Sequence, residues 1–278
     1  MLIAVTSAET GAGKTGVAAA IARHFGYAGK ATRLVRTASE GPGASADAAY
    51  FGSLFFAPGS STAPATDLPA DDAATVTVVE CTVEQAKALA AAGAKVVLVA
   101  KTKAAAVKDL SPAATIVTRG PAAAGVINLA DDRTLNGFSL SEAMALTNAE
   151  LIVEGDKGDP TCDYLVIAPI GSDAGQPYFR RFQAMAVVVR FDKTDMHLAA
   201  LAADPECLIL TGGRRPSDYL FDAASARGVP VLLSRTDTEN TVIALETVFD
   251  NTRFRGERKL DRISELLAPT GLFATLDA

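Results

Sequence analysis

The apolar positions of this chain fall into short unbroken runs separated by stretches of helical spacing. Leu2–Thr6, Ala31–Arg36, Thr75–Val79, Lys95–Val99 and Gly125–Leu129 read as buried strands, and Thr115–Val117 as a weaker one. Between the first two, Gly16–Phe25 carries Val17, Ala20, Ile21 and Phe25 at helical intervals, and Val83–Ala92 reads as a further helix. Continuous apolar strands alternating with helices predict a parallel sheet covered on both faces. From Ala38 to Ala74 the pattern dissolves. Ser39–Ser45 and Ala57–Ala70 are loop-like, on either side of a short helix expected around Ala46–Phe55.

A second series starts near Thr134. Ser139–Thr147 predicts a helix, because Ser139 followed by Glu142 has capping-box spacing. Strands are expected at Glu150–Val153, Tyr164–Ala168, Ala186–Arg190, Cys207–Leu210 and Val229–Leu233, with helices at Asp195–Ala203, Ser217–Arg227 and Asn240–Phe249. Lys259–Leu267 reads as an amphipathic terminal helix with Leu260, Ile263, Leu266 and Leu267 on one face. The polar Asp131-Asp132-Arg133 and the helix-breaking Gly137 place a boundary within Ala130–Gly137. Two α/β domains follow from this, residues 1–133 and a second at 134–278.

Composition narrows the function classes. Hydrophobic residues make up 49% of the 278 and charged residues 21%, enough apolar material for buried cores. The net charge of −6 argues against a broad electrostatic grip on nucleic acid or anionic membrane. Cys81, Cys162 and Cys207 lie far apart with no CxxC, so neither a zinc knuckle nor a disulfide framework is readable. His24 and His197 are the only histidines, too few for a His-rich metal site. Met1 leads straight into a strand, and Lys95 interrupts the longest apolar stretch. The expectation is a cytoplasmic protein with no membrane segment.

The chemistry concentrates in Glu9-Thr10-Gly11-Ala12-Gly13-Lys14-Thr15, set between a strand and a helix. Glycines let backbone N–H groups approach anionic oxygens, and a helix N-terminus adds a favourable dipole. In a phosphate loop, Lys14 reaches the β- and γ-phosphates and the Thr15 hydroxyl meets Mg²⁺. Ala8 stands where the GxxxxGK[ST] pattern has its first glycine, and the alternative is a glycine-rich turn with an exposed lysine. Glu9 occupies the place where partition-type ATPases carry a second lysine, which argues against that subclass. Mg²⁺ also wants a carboxylate. Glu80 ends the third apolar strand and Asp47 follows the second. A surface carboxylate and a helix cap remain their plainer readings. Asn128 ends the fifth strand, where an amide reads an adenine edge or simply closes a turn.

Together these segments resemble a dethiobiotin-synthetase-like P-loop domain. That family carries a T-G-T-D-T-x-x-G-K-T-type loop, a V-E-G strand end and a strand ending in Asn. Here Ser7, Glu9 and Cys81 replace the loop glycine, the loop aspartate and the glycine after the glutamate. The resemblance implies that Glu9–Thr15 binds ATP or ADP, that Thr15, Asp47 and Glu80 hold Mg²⁺, and that Asn128 contacts adenine. In the second half, Val187–Leu201, Cys207–Pro216 and Val229–Leu233 with Asp237, Thr238, Thr241 and Val242 look like the signature segments of a DRTGG domain. Phe191 and Lys193 replace its usual Gly and Arg. The tandem arrangement is similar to the region ahead of the catalytic domain in long bacterial phosphotransacetylases. Their acetyltransferase domain has no counterpart in these residues, so that activity is not expected.

The carboxyl-edge segments Asp192-Lys193-Thr194-Asp195 and Thr211-Gly212-Gly213 are expected to form a second ligand or contact site. The plainer alternative is a strand-to-helix turn. His197 is assigned no catalytic role. The first reading is therefore an ATP-Mg-binding regulatory or sensor protein of central metabolism, homodimeric or larger, with a small metabolite or a partner enzyme as its second contact. The second is an ATP-dependent ligase of the dethiobiotin synthetase or cobyrinate amidase type, acting on a carboxyl or carbamate group. The third is a scaffold with a degenerate P-loop. Whether the chain is an enzyme is left open, with weak ATPase activity as one form it would take.

Overall fold

The computed structural model describes residues 1–37, 49–58, 61–62, 68–102, 107–121, 123–168, 175–250 and 252–278. The expected site residue Asp47 lies outside them. Contacts divide the chain into two units, Met1–Asp132 together with Lys259–Ala278, and Arg133–Arg258.

The first unit is built on a parallel sheet. Its strands are β1 (Leu2–Thr6), β2 (Thr32–Arg36), β3 (Ser61–Thr62), β4 (Val76–Cys81), β5 (Lys95–Ala100), β6 (Ala114–Val117) and β7 (Ile127–Asn128). Among the described residues they lie in the order β3-β2-β4-β1-β5-β6-β7, and every neighbouring pair is parallel. β1 is central and buried along its whole length. Alternation splits the strands between two faces. Leu2, Ala4, Val79, Cys81 and Val96 pack in one core with Ala86 and Leu89 of helix α2 (Val83–Ala91). Val78 and Glu80 point the other way, toward helix α1 (Lys14–Tyr27), whose alanine-rich inner face is buried. The run expected as a strand at Gly125–Leu129 shortens to Ile127–Asn128, because Gly125 takes a positive φ of 76° and turns the chain first.

The second unit contains β8 (Phe138–Ser139), α3 (Leu140–Thr147), β9 (Glu150–Val153), β10 (Thr161–Cys162), β11 (Tyr164–Ile167), α4 (Gly175–Phe179), β12 (Met185–Arg190), α5 (Thr194–Leu201), β13 (Cys207–Thr211), α6 (Asp218–Ser225), β14 (Val231–Leu233) and α7 (Thr238–Leu245). The sheet order is β11-β12-β13-β14-β9, parallel except for the antiparallel edge strand β9. Its two faces carry separate cores. Met185, Val187, Val189, Leu208 and Leu210 face one, while Ala186, Val188, Cys207 and Ile209 face the other. The short strands β8 and β10 pair antiparallel. The predicted capping box closes α3: Ser139 Oγ accepts from the Glu142 amide at 3.2 Å, and Glu142 Oε2 accepts from the Ser139 amide at 2.9 Å.

The terminal segment differs from expectation. Helix α8 (Glu257–Leu267) forms where the amphipathic pattern put it, and α9 (Leu272–Asp277) follows. From Lys259 onward the chain belongs to the first unit rather than the second. Leu260, Ile263, Leu267, Leu272 and Leu276 are buried. Arg23 of α1 pairs with Asp261 at 2.5 Å, and the His24 ring stacks on Phe273 with centroids 4.0 Å apart. On the apolar face of α8, Leu260, Ile263 and Leu267 are thus buried within the first unit and Leu266 is half-buried.

Candidate functional site

The loop after β1 turns through two glycines of positive φ. Gly11 and Gly13 adopt φ of 69° and 89°, values at which a side chain is strained. Gly13 directly precedes Lys14, the first residue of α1, and no side chain caps the helix. Orphan N–H groups at such a helix start face an incoming anion. The Ser7 hydroxyl accepts from the Glu9 amide at 3.0 Å and shapes the first turn of the loop.

Thr15 and Glu80 are 65 residues apart in sequence and meet here. Thr15 Oγ1 donates to Glu80 Oε1 at 3.2 Å. Glu80 is only 2% exposed, an uncommon position for a carboxylate unless it is paired. The pairing of β1 with β4 sets Val5 opposite Glu80, which carries the carboxylate to the strand end where the loop begins. Arg36, at the end of β2, lies 3.6 Å from the same oxygen. In the sequence Arg36 is an ordinary residue closing an apolar strand; only the β2–β4 pairing sets it beside Glu80. The adjacent Cys81 thiol is pushed up to about 12 by burial, opposed by the charge of Lys14. It is inert rather than nucleophilic.

Among the described residues no cluster of three or more His, Cys, Asp or Glu is placed to hold a metal. Thr15 and Glu80 are hard oxygen donors side by side, which suits Mg²⁺ bound largely through phosphate and water. Glu9 contacts the residue that follows β5. Its Oε2 accepts from the Lys101 amide at 2.6 Å. Thr10 is exposed and Ala12 buried. Asn128 donates from Nδ2 to the Gly120 carbonyl at 2.6 Å.

At the carboxyl edge of the second sheet, the two expected segments are neighbours. The Phe191 amide donates to the Thr211 carbonyl at 3.1 Å. Arg190 forks onto Asp192, Nε to Oδ1 at 2.8 Å and Nη2 to Oδ2 at 2.6 Å. The guanidinium holds the Asp192 carboxyl below its usual range. Lys193 precedes α5, Thr194 opens it, and Asp195 sits in its first turn. Thr211 Oγ1 lies 2.7 Å from Thr238 Oγ1. The glycine amides are engaged: Gly212 donates to Thr236 O at 2.7 Å and Gly213 to Ser234 O at 3.0 Å. A Cβ on Gly212 would sit 2.8 Å from the Phe191 ring. Both amides are therefore already spent on the fold. The groups left facing solvent are the side chains of Asp192, Lys193, Asp195, Arg214 and Arg215.

His197 is fully buried on α5, with Nε2 2.9 Å from the Arg190 carbonyl. Nδ1 has no hydrogen-bond partner, so the ring is neutral with its proton on Nε2. Burial lowers its pKa from 6.5, against the backbone bond and the charges of Asp195 and Asp192, which raise it. A depressed histidine pKa gives stability that is complete above the unfolded value and is lost as pH falls through the folded one. We expect the second unit to melt at lower temperature as the pH is taken from 7.5 to 5.5. His197→Gln, which still donates to Arg190 O, should flatten that slope in pH-dependent thermal melts. An unchanged slope refutes the assignment.

Two comparisons with known proteins give similarities. Residues 142–248 match the DRTGG domain family. A distant structural similarity links the chain to the crystal structure of the CBS and DRTGG domains of the regulatory region of Clostridium perfringens pyrophosphatase, complexed with the activator diadenosine tetraphosphate. The sequence identity is 14% and the TM-score 0.34, over 50% of this chain and 62% of that one. The stretch 142–248, with its five-stranded sheet between two cores, is a DRTGG domain, and it follows a parallel α/β unit in the sequence.

Proposed function

We propose that the first unit binds ATP or ADP with Mg²⁺ and that the chain is a nucleotide-responsive regulatory protein. The carrying observation is the meeting of Thr15 and Glu80 at 3.2 Å beneath a loop with two left-handed glycines. In this reading the N–H groups of Gly11–Thr15 and the Lys14 ammonium bind the phosphates. Bound Mg²⁺ supplies positive charge to the phosphate oxygens, with Thr15 and Glu80 holding it directly or through water. Arg36, 3.6 Å from Glu80 Oε1, orients the carboxylate. Asn128 supports the adenine preference. Its Nδ2 is committed to Gly120, which leaves Oδ1 as the atom to accept from a base. An acceptor suits the adenine amino group and opposes the guanine carbonyl.

The DRTGG domain supports the regulatory half of the proposal, with Asp192–Asp195 and Thr211–Gly213 as its contact edge. If nucleotide and the second contact influence each other, the coupling is reciprocal.

Calorimetry tests the nucleotide site. ATP should bind the wild type more tightly with Mg²⁺ than without. Glu80→Gln should lose most of that enhancement while keeping its metal-free affinity. No binding at millimolar ATP or ADP would overturn the proposal in favour of a scaffold. Hydrolysis that appears only with a carboxylate substrate would favour a ligase.

A further inference from the structure

The segment Thr118-Arg119-Gly120 follows β6 and touches both ends of the proposed nucleotide site. Thr118 Oγ1 lies 3.1 Å from the Ala12 carbonyl in the phosphate loop and 3.3 Å from the Ala100 carbonyl at the end of β5. One hydroxyl proton is thus held between the loop and the sheet. The Thr118 methyl sits where a Cβ on Gly13 would be 3.5 Å away, so it packs under the glycine that starts α1. Two residues on, the Gly120 carbonyl accepts from Asn128 Nδ2 at 2.6 Å. The segment is itself anchored, since the Thr118 and Arg119 amides donate to Ala100 O at 3.0 Å and Lys101 O at 2.7 Å. Gly120 admits no side chain, because a Cβ would meet Thr102 O at 1.9 Å. Its carbonyl direction is therefore set by the fold.

Resting on the ATP reading above, we propose that Thr118 is a positioning residue: it fixes the phosphate loop relative to Asn128, so that the phosphate and base contacts of one nucleotide are made together. A hydroxyl that bridges loop and strand removes freedom from the loop before ligand arrives. Binding then costs less ordering, and both contacts benefit. Glu9 works in the same sense from the other side, through its contact with the Lys101 amide.

The experiment is a double-mutant cycle on Thr118→Val and Asn128→Ala, read by calorimetry with ATP-Mg²⁺ and with tripolyphosphate-Mg²⁺. Valine keeps the shape of threonine and removes the hydroxyl. Thr118→Val should weaken both ligands by about 5- to 10-fold, the range of one neutral hydrogen bond. Asn128→Ala should leave tripolyphosphate unchanged and weaken ATP by about tenfold in the wild type. In the Thr118→Val background it should weaken ATP by only about twofold, since contacts that share a support are not additive. Thr118→Ser should restore wild-type affinity. If ligand-free Thr118→Val melts below wild type, Thr118→Ala replaces it in the cycle. A wild type that binds no ATP sinks the nucleotide reading and this inference with it. A wild type that binds ATP, with Thr118→Val equal to it or the two substitutions additive, sinks this inference alone.

Discussion

Replacing Lys14 with alanine is expected to abolish most nucleotide affinity while making the free protein slightly more stable. Hydrogen bonds to charged groups contribute about 1.5–3 kcal/mol each, which corresponds to a Kd raised by about 10- to 150-fold. The gain in stability has a separate cause. Lys14 is the first residue of α1, and no acidic side chain occupies that first turn. A cation at a helix N-terminus opposes the backbone dipole by about 0.3–1 kcal/mol. Alanine also favours the helix. The position is thus unfavourable in the absence of an anion, which is the signature of a residue kept for binding. Calorimetry with ATP-Mg²⁺ and a thermal melt without ligand read the two effects separately. Unchanged affinity, or a clear drop in the ligand-free melting temperature, would show that Lys14 serves the fold instead.

Truncating Leu260 is expected to destabilise the first unit by about 2–5 kcal/mol, the range for a fully buried leucine cut to alanine. Leu260 is fully buried in α8, and the segment it anchors runs from Lys259 to the last residue of the first unit. The neighbouring ion pair between Arg23 and Asp261 is half exposed on the aspartate side. Exposed pairs contribute about 0–1 kcal/mol, so the apolar contact dominates and Asp261→Asn should change little. Urea unfolding of Leu260→Ala, Asp261→Asn and the wild type checks the ranking. A Leu260→Ala variant as stable as the wild type would mean that the terminal helices are not an integral part of the first unit.

The features legible in the sequence were local. The Ser139–Glu142 capping box lies within four residues and forms as the spacing indicates. The strand–loop–helix of Leu2–Phe25 was readable for the same reason: apolar run, glycine-rich turn and helical periodicity follow one another directly. Glu80 is a candidate from the sequence because Mg²⁺ wants a carboxylate and this one ends an apolar strand. Its partner Thr15 was named on other grounds, and the distance between them comes from the β1–β4 pairing. Arg36 and Thr118 were not singled out. Each is an ordinary residue at a strand end, and its importance comes from which strand lies beside it. Gly212 and Gly213 show the reverse. Their conformational freedom was legible, but the structure spends it on packing against Phe191 and on amide bonds to Thr236 and Ser234.

By itself the sequence determined two α/β units, the phosphate-loop candidate and an amphipathic terminal helix, because propensity, capping and hydrophobic period act over a few residues. The tertiary structure decided what each surface meets. Periodicity shows that one face of Lys259–Leu267 is buried, but several apolar surfaces in the chain could cover it. The structure assigns it to the first unit. In the same way the strand order β2-β4-β1-β5-β6, which no local signal specifies, brings Arg36, Glu80, Thr15, Ala12 and Thr118 around one loop. Long-range pairing is a competition among segments of similar hydrophobicity, and only the folded arrangement, in which all of them are buried at once, resolves it.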